Sequence, residues 1–253
     1  MLKPAQSQVP IADIIALRWS ARAIDPNRSV AHEELLALLE AARWAPSCYG
    51  EQPWRYLLWD RRHDPDGWEQ AFDCLSEGNK VWVKNAPVLM LSVAAPVFRT
   101  TGKLNRWNQH DTGAASENLC LQATALGLVA HQMGGFDAAK AKERFAIPDD
   151  YVCMAMIAIG HPAHPSLLEG EVRSREEAPR ERLPLGECFF QGAWGKGIVE
   201  FTIGTGDSGV LSITGIWRLC HSGQPTCAIS MPSNCKSPIL VCGISAVCKP
   251  LTA

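Results

Sequence analysis

The apolar positions of this chain change period repeatedly, and each change predicts an element. Between Ser29 and Trp44, Leu35, Leu36, Leu39 and Ala42 recur at helical spacing while Glu33, Glu34 and Arg43 fall elsewhere; Ser29 reads as the N-cap and Pro46 as the stop. WRYLLW at 54–59 has strand composition. Residues 67–84 read as mainly helical, and PVLMLSVA at 87–94 as a buried strand, because its apolar run is nearly continuous. A long helix follows in DTGAASENLCLQATALGL, with Ala115, Leu119, Ala123 and Leu126 at helical spacing and Gly127 as terminator. VAHQ, a short helix from Asp137 to Phe145 and the strand-like CMAMIAIG at 153–160 complete a mixture of helices and strands in which helices dominate.

Composition narrows the class. The 253 residues are 47% hydrophobic and 20% charged, ordinary for one main globular domain. A net charge of -2 argues against a partner that is nucleic acid or an anionic membrane surface, so any anion site must be local. The N-terminal stretch MLKPAQSQVPIADIIALRW lacks the apolar region of a secretory signal, and APVLMLSVAAPVF at 86–98 is interrupted by prolines and too short to span a bilayer. A cytoplasmic protein without a membrane anchor is expected, and on that expectation the sequon Asn27-Arg28-Ser29 is fortuitous.

At Val199 the texture changes. Beyond it the charged residues are Glu200, Asp207, Arg218, Lys236 and Lys249, while Cys, Ser, Gly, Pro and Thr rise and no helical period survives. The expected organisation is one domain over 1–198 and an atypical tail over 199–253. The tail is either a small β-rich or disordered appendage, or not part of the evolved domain, as in translation past a frameshift.

Several sharp motifs fail on context. Gly204-Thr205-Gly206-Asp207-Ser208-Gly209 satisfies G-x-G-x-x-G, yet VLSITGIW after it reads as strand and no acid follows Asp207, so a dinucleotide fingerprint is rejected. Of the ten cysteines, Cys48, Cys74, Cys120, Cys153 and Cys188 are scattered like reduced thiols. Cys220, Cys227, Cys235, Cys242 and Cys248 crowd the tail without a C-x-x-C pair, which argues against a structural metal. No G-x-S-x-G elbow is present, and Cys48 reads as a buried thiol rather than a nucleophile.

What remains is a dispersed set of donors and glycines: RWSARAIDP at 18–26, APSCYGEQPW at 45–54, GNKVW at 78–82, MGGFD at 133–137 and PRERLPL at 179–185. In this order, together with DTGAASENLCLQATALGL and IAIGHP, they resemble the FMN-dependent nitroreductase family over roughly residues 10 to 198. RWSAR is similar to that family's phosphate and flavin motif, APSCYGEQPW to its A-P-S-x-x-N-x-Q-P-W loop with Gly50 in place of Asn, and PRERLPL to its R-x-R/K-P-L ending.

The resemblance implies an α+β fold, a central and mostly antiparallel sheet flanked by helices, in an intertwined homodimer. It implies FMN as cofactor and NADH or NADPH as a transient reductant. Arg18 and Ser20 with Arg180 and Arg182 would bind the phosphate, and the Trp19 backbone the ring or ribityl chain. Arg22 and Asn79 would face the pyrimidine edge, with Lys80 a further candidate, and Gly134 and Gly135 would lie beside N5. Pro46, Ser47 and Gln52 would complete the site from the second subunit. No side chain is needed as acid or base; hydride passes from NAD(P)H through the flavin to an electron-poor small molecule such as a nitroaromatic or quinone, by ping-pong. Phe98, Trp107 and His110, in the 95–110 segment, would shape the substrate channel. The alternatives are a flavin-fragmenting or dehalogenating relative, and a non-catalytic flavin-binding module.

Overall fold

The computed structural model describes residues 2–198; the tail, with its glycine-rich match and five cysteines, lies outside the described residues. Four strands form one antiparallel sheet: β1 (Trp54–Asp60), β2 (Val88–Ala94), β3 (Val129–Met133) and β4 (Val152–Gly160), in the order β1-β2-β4-β3. The helices are α1 (Asp13–Leu17), α2 (His32–Arg43), α3 (Pro65–Asp73), α4 (Glu77–Val83), α5 (Asn108–Ala125), α6 (Ala138–Arg144), α7 (Gly170–Glu177) and α8 (Leu185–Cys188). One compact unit ends at Leu183 and carries all but α8; a second begins at Pro184, and its described part is α8 followed by a Phe190–Gly197 bridge.

Strand periodicity splits the core in two. In β2, Leu89, Leu91 and Val93 join Trp68, Trp82 and Met156 on the face covered by α3 and α4, whereas Val88 and Met90 join Leu38, Leu119, Ile157 and Ile159 on the face covered by α2 and α5. Every residue of β2 is buried, which is why its sequence reads as an apolar run rather than an alternation. β1 and β3 are left as the two edges.

The helix boundaries follow local chemistry, with two corrections. Ser29 does not cap α2: it is exposed, Val30 is drawn into the core, and the helix starts only at His32, where the Glu34 carboxylate accepts the Ala31 N–H at 2.8 Å. The buried stripe is Leu35, Leu38 and Ala42, while Leu36 is 51% exposed. Leu36 is turned about 100° from Leu35, and only one of the two can share a face with Ala42.

The helical stretch 67–84 is broken into α3 and α4 at Cys74–Ser76. There the backbone bonds instead to the 135–137 segment, Ser76 N–H to the Gly135 carbonyl at 3.0 Å and Asp137 N–H to the Cys74 carbonyl at 2.8 Å. Asp64 caps α3 through the Gly67 N–H at 3.0 Å with Pro65 behind it, and Asp137 caps α6. Gly127, with φ +72°, ends α5 in the left-handed region as its sequence position predicts.

β4 terminates against a tight junction. A Cβ on Gly160 would stand 2.5 Å from Cγ2 of the fully buried Ile24 and 2.8 Å from Pro87 Cδ. Gly160→Ala is therefore expected to lower stability by about 2 kcal/mol without changing the fold, read as a lower urea midpoint at constant slope.

Candidate functional site

Residues 18–23 run past the free edge of β3, and their backbone is held from two sides. The Glu176 carboxylate, on α7 and only 1% exposed, accepts the Arg22 N–H at 2.9 and 3.1 Å and the Ala23 N–H at 3.1 Å. From the sheet, His131 Nδ1 lies 3.0 Å from the Ala21 carbonyl. A carbonyl can only accept, so Nδ1 carries the proton. Ala21 C=O and Arg22 N–H belong to one peptide group, which is thus gripped at both polar ends by buried partners.

Burial, reinforced by the charges of Arg22 and Arg18, holds His131 down to about 4, so the ring is neutral near pH 7. Its ring lies 4.6 Å, centroid to centroid, from that of Trp82 on α4.

Around this peptide the predicted arginines gather. Arg18 is half-buried, with Nε 3.3 Å from Glu117 on α5. Arg180 is pushed below the usual arginine range by burial and then by the charges of Arg18 and Arg182, which marks three guanidinium groups close together. Arg180 is also the main departure from expectation. Its Nη1 donates to the Lys3 and Ala16 carbonyls at 2.7 Å each, and Nη2 to the Arg18 carbonyl at 2.9 Å. Carbonyls at the C-terminal end of a helix lack intrahelical partners and attract a cation. Arg180 answers that need at α1, and so braces the backbone of Arg18. Arg182 is exposed, Ser20 half-buried, and Trp19 packs on the core with the Lys3 ammonium 4.6 Å from its ring centroid.

A second group lies further along β3. Gly134 follows three residues after His131, about 10 Å along an extended strand. Space is open where its Cβ would be, whereas a Cβ on Gly135 would fall 2.8 Å from both Asn79 Nδ2 and Ser76 Oγ. Asn79 Nδ2 donates to the Gly135 carbonyl at 2.9 Å, so this amide sets the glycine turn and leaves its oxygen free of that bond. These residues border a groove of ≈ 510 Å³ lined by Ser76, Lys80, Gly134, Gly135, Asp137 and Lys140. The Lys80 ammonium is engaged by Glu77 at 2.8 Å and Asp73 at 3.7 Å, which removes it as a free charge for a ring edge.

Pro46, Ser47 and Gln52 stand elsewhere, in the loop before β1 at the opposite edge of the sheet. Three strand spacings, about 14 Å, separate the two edges. The loop is stiff: Ser47 Oγ accepts the Gln52 N–H at 3.1 Å, the buried Asp111 accepts the Cys48 N–H at 2.9 Å, and the buried Glu51 accepts the Arg99 N–H at 2.7 Å and bonds Thr100. Tyr49, Gly50 and Gln52 have φ of 53°, 67° and 50°. Glycine and asparagine are the residues that tolerate this region best, so Gly50 keeps the turn that an Asn would make and gives up its side chain. Tyr49 projects 91% exposed, edge-on to Phe98 at 6.3 Å.

Sequence reasoning missed Glu176, His131, Asp111 and Glu51. Glu176 hides inside the charged run RSREEAPRERL, and nothing local separates it from Glu177. For His131 a signal existed, because strand alternation puts it on the same face as Val129 and Met133, both in the core.

The fold and site together define an α+β protein with a helix-covered antiparallel sheet and an arginine cluster on one edge. The nitroreductase family model matches residues 15–161, and the chain belongs to that family. It is similar to a solved structure described as an oxidoreductase containing FMN, at 35% identity and TM-score 0.70, over 75% of this chain and 95% of that one. An uncharacterized 15.4 kDa protein of Mycolicibacterium smegmatis is 37% identical over 90 residues, 36% of this chain, which spans only 60% of that protein's length. An Archaeoglobus fulgidus protein, provisionally named NADH dehydrogenase/NAD(P)H nitroreductase, is 29% identical over 140 residues, 54% of this chain and 76% of that one. Among the described residues no helix is long and apolar enough to cross a membrane.

Two predictions follow from the gripped peptide. Glu176→Ala strands the buried Ala23 N–H and the part-buried Arg22 N–H and is expected to cost about 3 kcal/mol in denaturant titration, with Glu176→Gln costing less because its amide oxygen still accepts. Because His131 binds its proton near 4 in the folded state and near 6.5 when unfolded, the unfolded chain holds more protons between those values. Stability should therefore fall as pH drops from about 6.5 towards 4, by roughly 3 kcal/mol in all from this group. His131→Asn should lack that component, measured as the difference between the two stability-versus-pH curves.

Proposed function

We propose that this protein is an FMN-dependent NAD(P)H oxidoreductase that works as a homodimer on electron-poor small molecules. The observation that carries the reading is the arginine cluster: the Arg180 guanidinium bonds the Arg18 carbonyl at 2.9 Å, and burial, with the charges of Arg18 and Arg182, pushes it below the usual arginine range, an arrangement that an anion of more than one charge would stabilise. The chemistry of the donors fits a phosphate monoester. Arg18 and Arg182, with the Ser20 hydroxyl, would hold it, while Arg180 keeps the Arg18 backbone in place. The open face of Gly134 and the groove beside it suit a flat ring system. Arg22 and the Asn79 carbonyl oxygen would meet its polar edge.

When bound, FMN supplies a two-electron centre that accepts hydride from NAD(P)H and passes it to the acceptor. The chain's own residues bind and orient. Arg22 would bring positive charge to the ring edge that is anionic when reduced, which would raise its potential. Pro46, Ser47 and Gln52, on the far edge of the sheet from the arginines, would serve the site of a second copy; this division of the predicted residues is what supports the dimer. The names of the relatives favour NAD(P)H as reductant, and the family match favours the oxidoreductase class.

Anaerobic NAD(P)H titration of the purified protein, followed through the flavin spectrum, tests the proposal directly. Bleaching of bound FMN and its return on adding a quinone or nitroaromatic are expected; protein that shows no flavin absorbance and gains none with added FMN sinks the reading. Arg18→Ala should weaken FMN binding by about ten- to a hundredfold, the equivalent of one charged hydrogen-bond pair. Arg22→Ala should keep FMN and lower its midpoint potential.

A further inference from the structure

We propose that His131 is a positioning residue: by holding the Ala21 carbonyl it fixes the Ala21–Arg22 peptide and so aims the Arg22 guanidinium at the bound cofactor, a role that rests on the FMN reading above.

Four observations converge on it. The Ala21 carbonyl and the Arg22 N–H are opposite ends of one trans peptide, and each meets a buried side chain, His131 on one side and Glu176 on the other. With both ends engaged the peptide plane cannot rotate, and the next peptide is held as well, through the Ala23 N–H on the same Glu176 carboxylate, so the backbone on both sides of Arg22, and with it the Cα–Cβ direction, is set. The hydrogen bond is directional for the imidazole as well: Nδ1 must be the donor, which leaves Nε2 bare in the neutral ring. Finally, Trp82 lies against the ring, and Trp82 belongs to α4, the helix whose Asn79 bonds the Gly135 carbonyl.

His131 therefore links the arginine segment to the glycine turn, the two parts of the site that the chain brings from distant positions. A carboxylate could not do this beside Ala21 because it has no proton to give, and an apolar side chain would leave a buried carbonyl unpaired, at a cost. That cost is relieved if the peptide turns towards water, and Arg22 would turn with it.

The test uses the full-length FMN-loaded protein and two substitutions. His131→Leu removes the donor and keeps bulk; His131→Asn keeps an N–H at the Nδ1 position and removes the ring. Midpoint potentials are measured against a reference dye, and FMN affinity by fluorescence. The expected result is a potential shifted towards that of free FMN in His131→Leu, with FMN still bound through Arg18, and recovery of most of the shift in His131→Asn. Adding Arg22→Ala to His131→Leu should produce no further shift, because both act through one guanidinium. A merely structural histidine would lower stability in both variants and leave the potential of the folded protein where it was.

A wild-type potential in His131→Leu, an equal shift in Leu and Asn variants, or additive shifts in the double variant each overturn the proposal. Should His131→Leu fail to fold, nitrogen-15 spectra of the wild-type protein decide. A protonated Nδ1 with a bare Nε2 supports the contact, and the opposite tautomer overturns it. Wild-type protein that binds no FMN would sink the cofactor reading and this role together, whereas an unshifted potential in FMN-loaded His131→Leu sinks only the positioning role.

Discussion

The grip on the Ala21–Arg22 peptide is the constraint on which the site depends. It joins three parts of the chain that are remote in sequence: the segment at 18–23, the edge strand β3 and the helix α7. Glu176 accounts for why a carboxylate can be wholly buried in so small a protein, since its oxygens take three bonds from two backbone N–H groups. The same helix leads directly into Arg180, whose guanidinium ties down the end of α1 and the Arg18 carbonyl. One short C-terminal stretch thus secures both ends of the RWSAR segment.

The sheet works as a spacer. Its central strand β2 is buried on both faces and commits no residue to the site, while both candidate groups sit at its margins: arginines and glycines towards β3, the strained loop with Tyr49 and Gln52 towards β1. Such a layout keeps the stability of the core apart from the chemistry at the edges. It also explains why buried carboxylates recur at the periphery. Glu51 and Asp111 do for the loop before β1 what Glu176 does for the arginine segment, each fixing backbone N–H groups that no sheet or helix could satisfy.

Much of the fold was legible because its signals are local. The uninterrupted run at 87–94, the helix start at Asp137 and the glycine after α5 act over a turn or two and survive in the folded chain. Errors came where tertiary packing chose between equal local options. By residue type Leu36 belongs to the apolar face, yet packing against α5 buries Leu38 beside Leu35 and leaves Leu36 outside. Ser29 is a good cap by type, yet the burial of Val30 moved the helix start past it.

Arg18, Ser20, Arg22, Arg180 and Arg182 could be picked out in the sequence as residue types suited to an anion. Their individual tasks could not. Arg180 and Arg182 are alike on paper, but one guanidinium reaches the Ala16 carbonyl at the end of α1 and the Arg18 carbonyl beyond it, and the other stays in solvent. Glu176 and Glu177 are neighbours of the same type, and only the packing of α7 against residues 22 and 23 turns one into a buried acceptor. Sequence by itself determined which groups can donate, accept or turn the chain, since those are properties of the side chain and its immediate backbone. The tertiary structure alone decided which of them meet, because burial and hydrogen-bond partnership depend on segments more than a hundred residues apart arriving at the same edge of the sheet.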